Sequence, residues 1–335
     1  MKKIKWFLLV CVVVMMVFTF VACGEKKNTE ESDNITYKRL SDGTYSIERD
    51  KYASGDYVIP TTFKGQPITR IGEYAYIQCN GLKSVTIPDT VTVLDAWSLN
   101  DCGNLETVYL PASVKTIGVK AFDMCYNLQK VYYAGDVTSW CEVTFESDTS
   151  NPMRYAKELY FGETLVSDLV IPDNVTTIKD YAFHCANSIT SVAIPDSVTS
   201  IGNEAFHACA DLKTLTLGKG VTDLNDNAFS VCKIENATIP MAALPYIPTE
   251  KLKTVVLTDG TSIAPRAFFG LRELTTVTIP SSVTSIGSNA FGDCFLLKDV
   301  YFNGTRAQWD AVEKATDWAY QAGDHTVHCT DDPTE

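Results

Sequence analysis

The chain is 335 residues long, 45% of them apolar, with a formal charge of −13. That apolar share is ample for a core, and the length would accommodate two ordinary domains. The acidic balance excludes nucleic acid as a partner, because phosphates require a basic face.

The chain opens Met1, Lys2, Lys3, Ile4, Lys5 and runs apolar from Trp6 to Ala22, a charged n-region followed by the h-region of a secretion leader. That apolar run lies at the lower bound for a membrane span. The run ends in Val21, Ala22, Cys23 and Gly24. A small residue before a cysteine, directly after the apolar run, resembles a bacterial lipobox. The resemblance implies a lipoprotein signal peptide over 1–22, a diacylglycerol on the Cys23 thiol, and a location on the extracellular face of the cell membrane; an uncleaved anchor and plain secretion are the alternatives. Removing 1–22 takes away three lysines and no acid, leaving 25 − 41 = −16. The stretch GEKKNTEESDNIT, 24–36, is nearly devoid of apolar residues and predicts a disordered tether over 23–36.

Residues 37–63 read as an N-terminal hairpin cap and first strand. Asp42 and Gly43 make the turn, and Tyr57, Ile59 and Pro60 supply the strand. Such a cap covers the core and strand edge that a stack of coils would otherwise leave open.

From there to residue 302 the chain repeats itself, most clearly in IPDSVTSIGNEAFHACADLKTLTL at 194–217. Within this unit, apolar side chains fall at positions 1, 4 and 6, as in Leu212, Leu215 and Leu217. Positions 4 and 6 have the period of a strand. A fixed period of about 23 residues with LxxLxL spacing predicts a stacked solenoid over 64–302. Its rows are marked at position 6 by Ile59, Ile87, Leu110, Tyr133, Ile171, Ile194, Leu217, Ile239, Leu257, Ile279 and Phe302. An alanine-aromatic pair recurs, at Ala75-Tyr76, Ala96-Trp97, Ala121-Phe122, Ala182-Phe183, Ala205-Phe206, Ala228-Phe229, Ala267-Phe268 and Ala290-Phe291, and predicts a stacked aromatic spine. Cys79, Cys102, Cys125, Cys185, Cys209, Cys232 and Cys294 read as one further column. Leu271 stands at the equivalent place after Phe268, so the position suits a modest apolar side chain and the thiols are expected buried and free; disulfides or metal are the alternative.

Written as LxxVxIPxSVxxIGxxAFxxC, the unit is seen in LETVYLPASVKTIGVKAFDMC and LTTVTIPSSVTSIGSNAFGDC. This pattern resembles the BspA-type leucine-rich repeats of bacterial surface proteins. The resemblance implies a mostly β solenoid of the α/β class, with a parallel concave sheet and short covering helices or turns. It also implies a non-catalytic surface protein that mediates protein binding or adhesion.

Two segments break the period. The step from Tyr133 to Ile171 spans one unit and more than half of another, which places an irregular insertion around 134–168, with a small hairpin turning at Gly162 and Glu163. Trp140 follows Gly135 as Trp309 follows Gly304, so both tryptophans are expected to anchor short covering helices. The step from Ile239 to Leu257 falls short of a full unit, contains MAALPYIPTEK without an alanine-aromatic pair, and predicts a thinner coil with a bend or groove. Residues 303–335 read as a C-terminal cap and tail: 305–320 have helical character with Trp309, Val312 and Ala315 on one face, and Val327, His328 and Cys329 supply a last edge strand.

Signals for chemistry are thin. His184 and His207 follow the spine phenylalanines and are expected on the exposed convex side; His325, His328 and Cys329 cluster near the C-terminus. No GxSxG, HExxH or phosphate-loop motif occurs, so no catalytic residue, metal or cofactor is assigned. Recognition is then expected on the concave sheet, where positions 2, 3 and 5 face solvent. Tyr109 and Tyr132 form the one adjacent aromatic pair in the row at position 5, and Lys83 and Lys130 flank it, giving a polar face for an extracellular or host protein, or for a glycan. The same tyrosines could instead serve only to pair across strands.

Overall fold

The computed structural model describes residues 29–333 and is a mostly β solenoid. Each regular coil contributes a strand of about four residues to a main sheet and a two-residue strand to a flank sheet. The sequence explains both. In Ser191–Ile194 and Thr214–Leu217, Val192, Ile194, Leu215 and Leu217 point into the core, and the residues between them point out. Such strands are too short to persist alone, but they pair in parallel and in register, Val192 opposite Leu215 and Ile194 opposite Leu217. The flank strands do the same, as in Ser200–Ile201 against Thr177–Ile178.

Behind the sheets runs the aromatic spine. Phe183, Phe206 and Phe229 stack at 5.2 and 5.1 Å between ring centres, and Phe268 lies 4.8 Å from Phe291, all within 8° of parallel. Trp97 is not part of it. Its backbone is left-handed at φ 62°, its ring lies half-buried beside Tyr74, and the Lys120 ammonium sits 4.4 Å above it. Leu99, one repeat after Tyr76 and one before Phe122, is fully buried and holds the spine place, with Ser98 where the other coils have alanine. Register along the coil, rather than aromatic character, decides which side chain points inward.

The main sheet is in two parts. One contains Gly55–Val58, Leu82–Thr86, Thr107–Leu110, Lys130–Tyr133, Glu158–Phe161 and Thr164–Leu165. The other runs through eight strands from Asp168–Val170 to Thr326–Cys329. Two rows therefore exceed the eleven read from the sequence, one of them the last edge strand expected at Val327, His328 and Cys329. Glu158–Phe161 pairs in parallel with Lys130–Tyr133, placing Phe161 opposite Tyr133, and Cys329 lies opposite Phe302. The irregular segment is thus a full, overlong coil from Tyr133 to Phe161 rather than a unit with an insertion, followed by an antiparallel hairpin at Gly162 and Glu163 that closes the first part.

Between the two parts the backbone ladders stop, and side chains do the joining. Helix Val137–Cys141 buries Trp140, whose Nε1–H donates to the Ala182 carbonyl at 2.7 Å. Asn151 donates to the carbonyls of Tyr181 and Ala182, and Lys179 reaches the Glu142 carbonyl and the Thr144 hydroxyl.

Both ends differ from expectation. The expected signal peptide over 1–22 and residues 23–28 of the expected tether, Cys23 included, lie outside the described residues. Of the remainder, Thr29–Ser32 is a strand, paired antiparallel to Ile35–Arg39 through a turn at Asp33 and Asn34, both at positive φ. A low apolar count concealed it, because an edge hairpin needs few inward side chains; Ile35 and Tyr37 suffice here. Ile35–Arg39 then pairs with Tyr45–Asp50, and Phe63 packs between Tyr37 and Tyr45 to close the core. At the other end, helix Arg306–Ala311 stops well short of the end of the helical stretch read over 305–320. Glu313–Lys314 becomes a flank strand, and Trp318 takes the next spine position, edge-on to Phe291 at 5.8 Å.

Candidate functional site

Parallel, in-register strands lie about 4.8 Å apart, so like residues at like positions stack along a solenoid face. Position 5 of three successive rows carries Tyr109, Tyr132 and Tyr160. Their rings form one ladder, with 5.0 Å between the centres of Tyr109 and Tyr132 and 4.5 Å between Tyr132 and Tyr160, each pair within 18° of parallel. Tyr109, at the open end, is 42% exposed. Against the ladder lies a hollow of about 520 Å³ bounded by Tyr133, Ala134 and the Gly162–Glu163 turn.

Charge is built into the ladder. The Tyr160 hydroxyl donates to Glu158 Oε2 at 2.7 Å, and this bond to a carboxylate pushes the phenol up to about 12. Lys130 Nζ stands 3.8 Å from the same carboxylate. Lys130 is therefore paired beside the tyrosines instead of being an open cation, Lys83, on Leu82–Thr86, is exposed, and neither lysine lines the hollow. The structure thus brings Tyr109, Tyr132 and Lys130 together and leaves Lys83 apart.

Tyr160 was missed by sequence reasoning because the long coil put it out of count. The signal was present: LYF at 159–161 matches VYY at 131–133 position for position. Nor is the tyrosine pair alone in its row. Tyr301 stacks on His328 at 4.7 Å, and His328 Nε2 lies 2.9 Å from Asp299 Oδ1. Each part of the main sheet therefore ends in stacked rings beside a tryptophan-anchored helix.

His184 is not on an exposed face. It is 3% exposed, stacked on His207 at 5.1 Å, and lies below the segment carrying Asp148 and Arg154, which the regular coils lack. Desolvation, reinforced by the neighbouring His207, lowers it to about 4. Glu204 Oε2 lies 3.4 Å from His184 Nδ1 and would favour the charged form, but the contact lacks hydrogen-bond geometry and Nδ1 has no partner, so burial prevails.

The cysteine column is more regular than expected, and it excludes Cys185. Cys79, Cys102, Cys125, Cys209, Cys232 and Cys294 are buried, and each thiol donates to a main-chain carbonyl of the preceding coil at 3.0–3.3 Å. In the coil of Phe183 the column position is Ala186; Cys185 precedes it, half-buried, at φ 58°. All nine cysteines of the described residues are free, and no cluster of three or more His, Cys, Asp or Glu among those residues is placed to hold a metal.

The thin coil makes a second concavity. Ile239 to Leu257 has a 3-10 turn, Met241–Tyr246, and no flank strand, so the flank sheet ends at Asp223–Leu224 and resumes at Ser262–Ile263. A groove of about 880 Å³ lies there, lined by Met241, Leu244, Pro245 and Ala267 among others.

Known structures similar to this chain include bacterial leucine-rich repeat proteins. A leucine-rich cell surface protein from Faecalibacterium prausnitzii A2-165 is similar over 85% of this chain and 97% of its own, at 21% identity and a TM-score of 0.27. A leucine-rich repeat protein from Bacteroides ovatus ATCC 8483 is similar over 90% of each chain, at 21% identity and a TM-score of 0.45. The pneumococcal vaccine antigen PcpA is similar over 89% of this chain and 98% of its own, at 14% identity and a TM-score of 0.30. No curated protein sequence matches. The model of the BspA type leucine rich repeat region matches six times, over 46–159, 150–250 and 245–310. With its repeat carried through almost every coil, the chain belongs to the BspA type leucine-rich repeat family.

Proposed function

We propose that this protein is a non-catalytic binding module, held on the extracellular face of the cell membrane through Cys23, whose ligand is an extracellular or host protein met by the ladder of Tyr109, Tyr132 and Tyr160. The observation that carries this reading is the stacking itself. With centres 5.0 and 4.5 Å apart, Tyr132 has both ring faces covered, so the ladder presents ring edges and hydroxyls in a rigid row. Such a row offers apolar area and polar tips at little cost in side-chain entropy, the combination favoured at protein interfaces.

A glycan reading has one observation in its favour. Next to Tyr109 on the open side is Thr86, a smaller side chain, which leaves one ring face available to the apolar face of a sugar.

Protein and carbohydrate arrays probed with the mature protein separate the two. The expected result is a protein ligand whose affinity falls about tenfold or more in the triple variant Tyr109→Ala, Tyr132→Ala, Tyr160→Ala, and undiminished binding by that variant would refute the ladder as the contact. Binding confined to carbohydrates and lost on Tyr109→Ala alone would favour the glycan. The anchor is tested separately: Cys23→Ser should move the protein out of the membrane fraction and abolish incorporation of labelled lipid.

A further inference from the structure

Every regular coil passes its flank strand the same set of main-chain bonds. Thr199 N–H and Gly202 N–H donate to the carbonyls of Thr176 and Ile178, and Thr284 N–H and Gly287 N–H donate to those of Thr261 and Ile263. At the thin coil the set is broken. Among the described residues, the carbonyls of Thr222 and Leu224 receive no main-chain donor, and the amides of Thr261 and Ala264 have no acceptor. The 3-10 turn Met241–Tyr246 stands between these edges without pairing to either.

The edge at Ser262–Ile263 differs from an ordinary solvated edge. Thr261, Ser262 and Ala264 are exposed, yet they form one wall of the groove of about 880 Å³, and the opposite wall is apolar, made by Met241, Leu244 and Pro245. Gly260, at φ +108°, lets that wall close in: a Cβ there would stand 2.7 Å from Met241 Cε. An unpaired strand edge beside apolar side chains suits an extended peptide.

We propose that this groove binds an extended peptide segment of a partner protein as an added parallel strand on Ser262–Ile263, restoring the rung that the short coil omits. The peptide's carbonyls accept from the amides of Thr261 and Ala264, and one of its amides donates to the Ser262 carbonyl. A β-branched or leucine side chain following that register packs against Met241 and Leu244. The chain itself shows which sequence satisfies such an edge: SVTSIG occurs identically at 197–202 and 282–287, and the second copy pairs with the other side of this same strand.

The probe is a fluorescently labelled peptide PDSVTSIGNE, the sequence of 195–204, titrated into the full chain and followed by anisotropy and amide hydrogen exchange. Saturable binding is expected, with exchange slowed at Thr261 and Ala264. Methylating the backbone nitrogen of the peptide isoleucine should weaken binding about tenfold or more, because it removes a hydrogen bond and blocks close pairing. Ala242→Trp, at an exposed position lining the groove, should weaken it similarly without disturbing the core. The triple tyrosine variant should bind the peptide normally, since the ladder does not line this groove. Absence of binding, equal binding of the N-methylated peptide, or protection appearing elsewhere than at this edge would each overturn the proposal.

Discussion

At the level of single residues, the repeat assigns thiols a task that size alone does not explain. A cysteine of the column fills the space of a small apolar side chain and also donates to a buried carbonyl one coil away, as Cys209 does to Phe183 at 3.2 Å. Burial raises the Cys79 thiol to about 12 and the Cys294 thiol to about 11, which keeps those two protonated and unreactive. Native protein treated with a thiol reagent should therefore be labelled, among the described residues, first at Cys185 and Cys329, the two half-buried cysteines there, and at the column only on unfolding. Mass mapping of the labelled peptides checks this. Cys209→Ala removes one of two donors to the Phe183 carbonyl, which keeps the Ala186 N–H, and should cost about 0.5–1.5 kcal/mol in denaturant melts. His184 adds a dependence on pH. Its folded value of about 4 lies below the ordinary value of 6.5, so below pH 6.5 the unfolded chain takes up a proton that the folded chain refuses. Stability should fall as pH drops from about 6.5 towards about 4, with a slope from this residue of at most about 1.4 kcal/mol per pH unit. His184→Phe should flatten that part of the profile.

At the level of elements, the two short helices behave as stoppers. Each is fixed by a capping box, Asp136 with Ser139 and Thr305 with Gln308, so a very short segment holds a helical turn it could not sustain alone. Each then drives one tryptophan against the last rings of its sheet, Trp140 at 5.0 Å from Tyr133 and 6.0 Å from Phe161, and Trp309 at 5.3 Å from Phe302. Asp136→Ala should cost about 1 kcal/mol through the lost cap. Trp140→Phe keeps most of the apolar volume but removes one of two donors to the Ala182 carbonyl, Asn151 remaining, and should cost about 0.5–1.5 kcal/mol. Equilibrium unfolding of the two variants separates the effects. The pairing of each helix with its tryptophan was legible from the shared spacing of Gly135-Trp140 and Gly304-Trp309. Their lengths were not, because where each helix stops depends on the flank strand that follows, Thr144–Phe145 or Glu313–Lys314.

At the level of the whole molecule, a solenoid is as stable as the interfaces between its coils, and each interface counts nearly independently. Most coils share a main-chain ladder and a spine contact, whereas the junction near residue 165 relies on Trp140, Asn151 and Lys179 in place of the ladder. Weakening it should uncouple the two parts. The double variant Trp140→Ala, Asn151→Ala is expected to turn a single cooperative denaturation into two steps, with the part beyond residue 168 and the part before it melting separately. Calorimetry would show two peaks, and a single peak shifted to lower temperature would show that the junction is not the weakest interface.

What the sequence determined by itself is the coil. A period of about 23 residues, with apolar side chains at fixed positions, specifies the inward faces and the parallel pairing, because the same side chains must meet their own kind one coil away. That logic by itself places Tyr109 and Tyr132 next to each other. It failed where one coil departs in length from its neighbours. Tyr160 joins the ladder only because the long stretch from Tyr133 to Phe161 folds into one turn, and Trp97 leaves the spine because the coil, not the aromatic ring, sets which way a side chain points. The tertiary structure alone decided that His184 is covered, that the flank sheet is broken at residues 225–261, and that an unpaired strand edge faces an apolar wall. Burial and unsatisfied main-chain groups depend on what the neighbouring coil supplies, and a repeat pattern records only what each coil shares with the others.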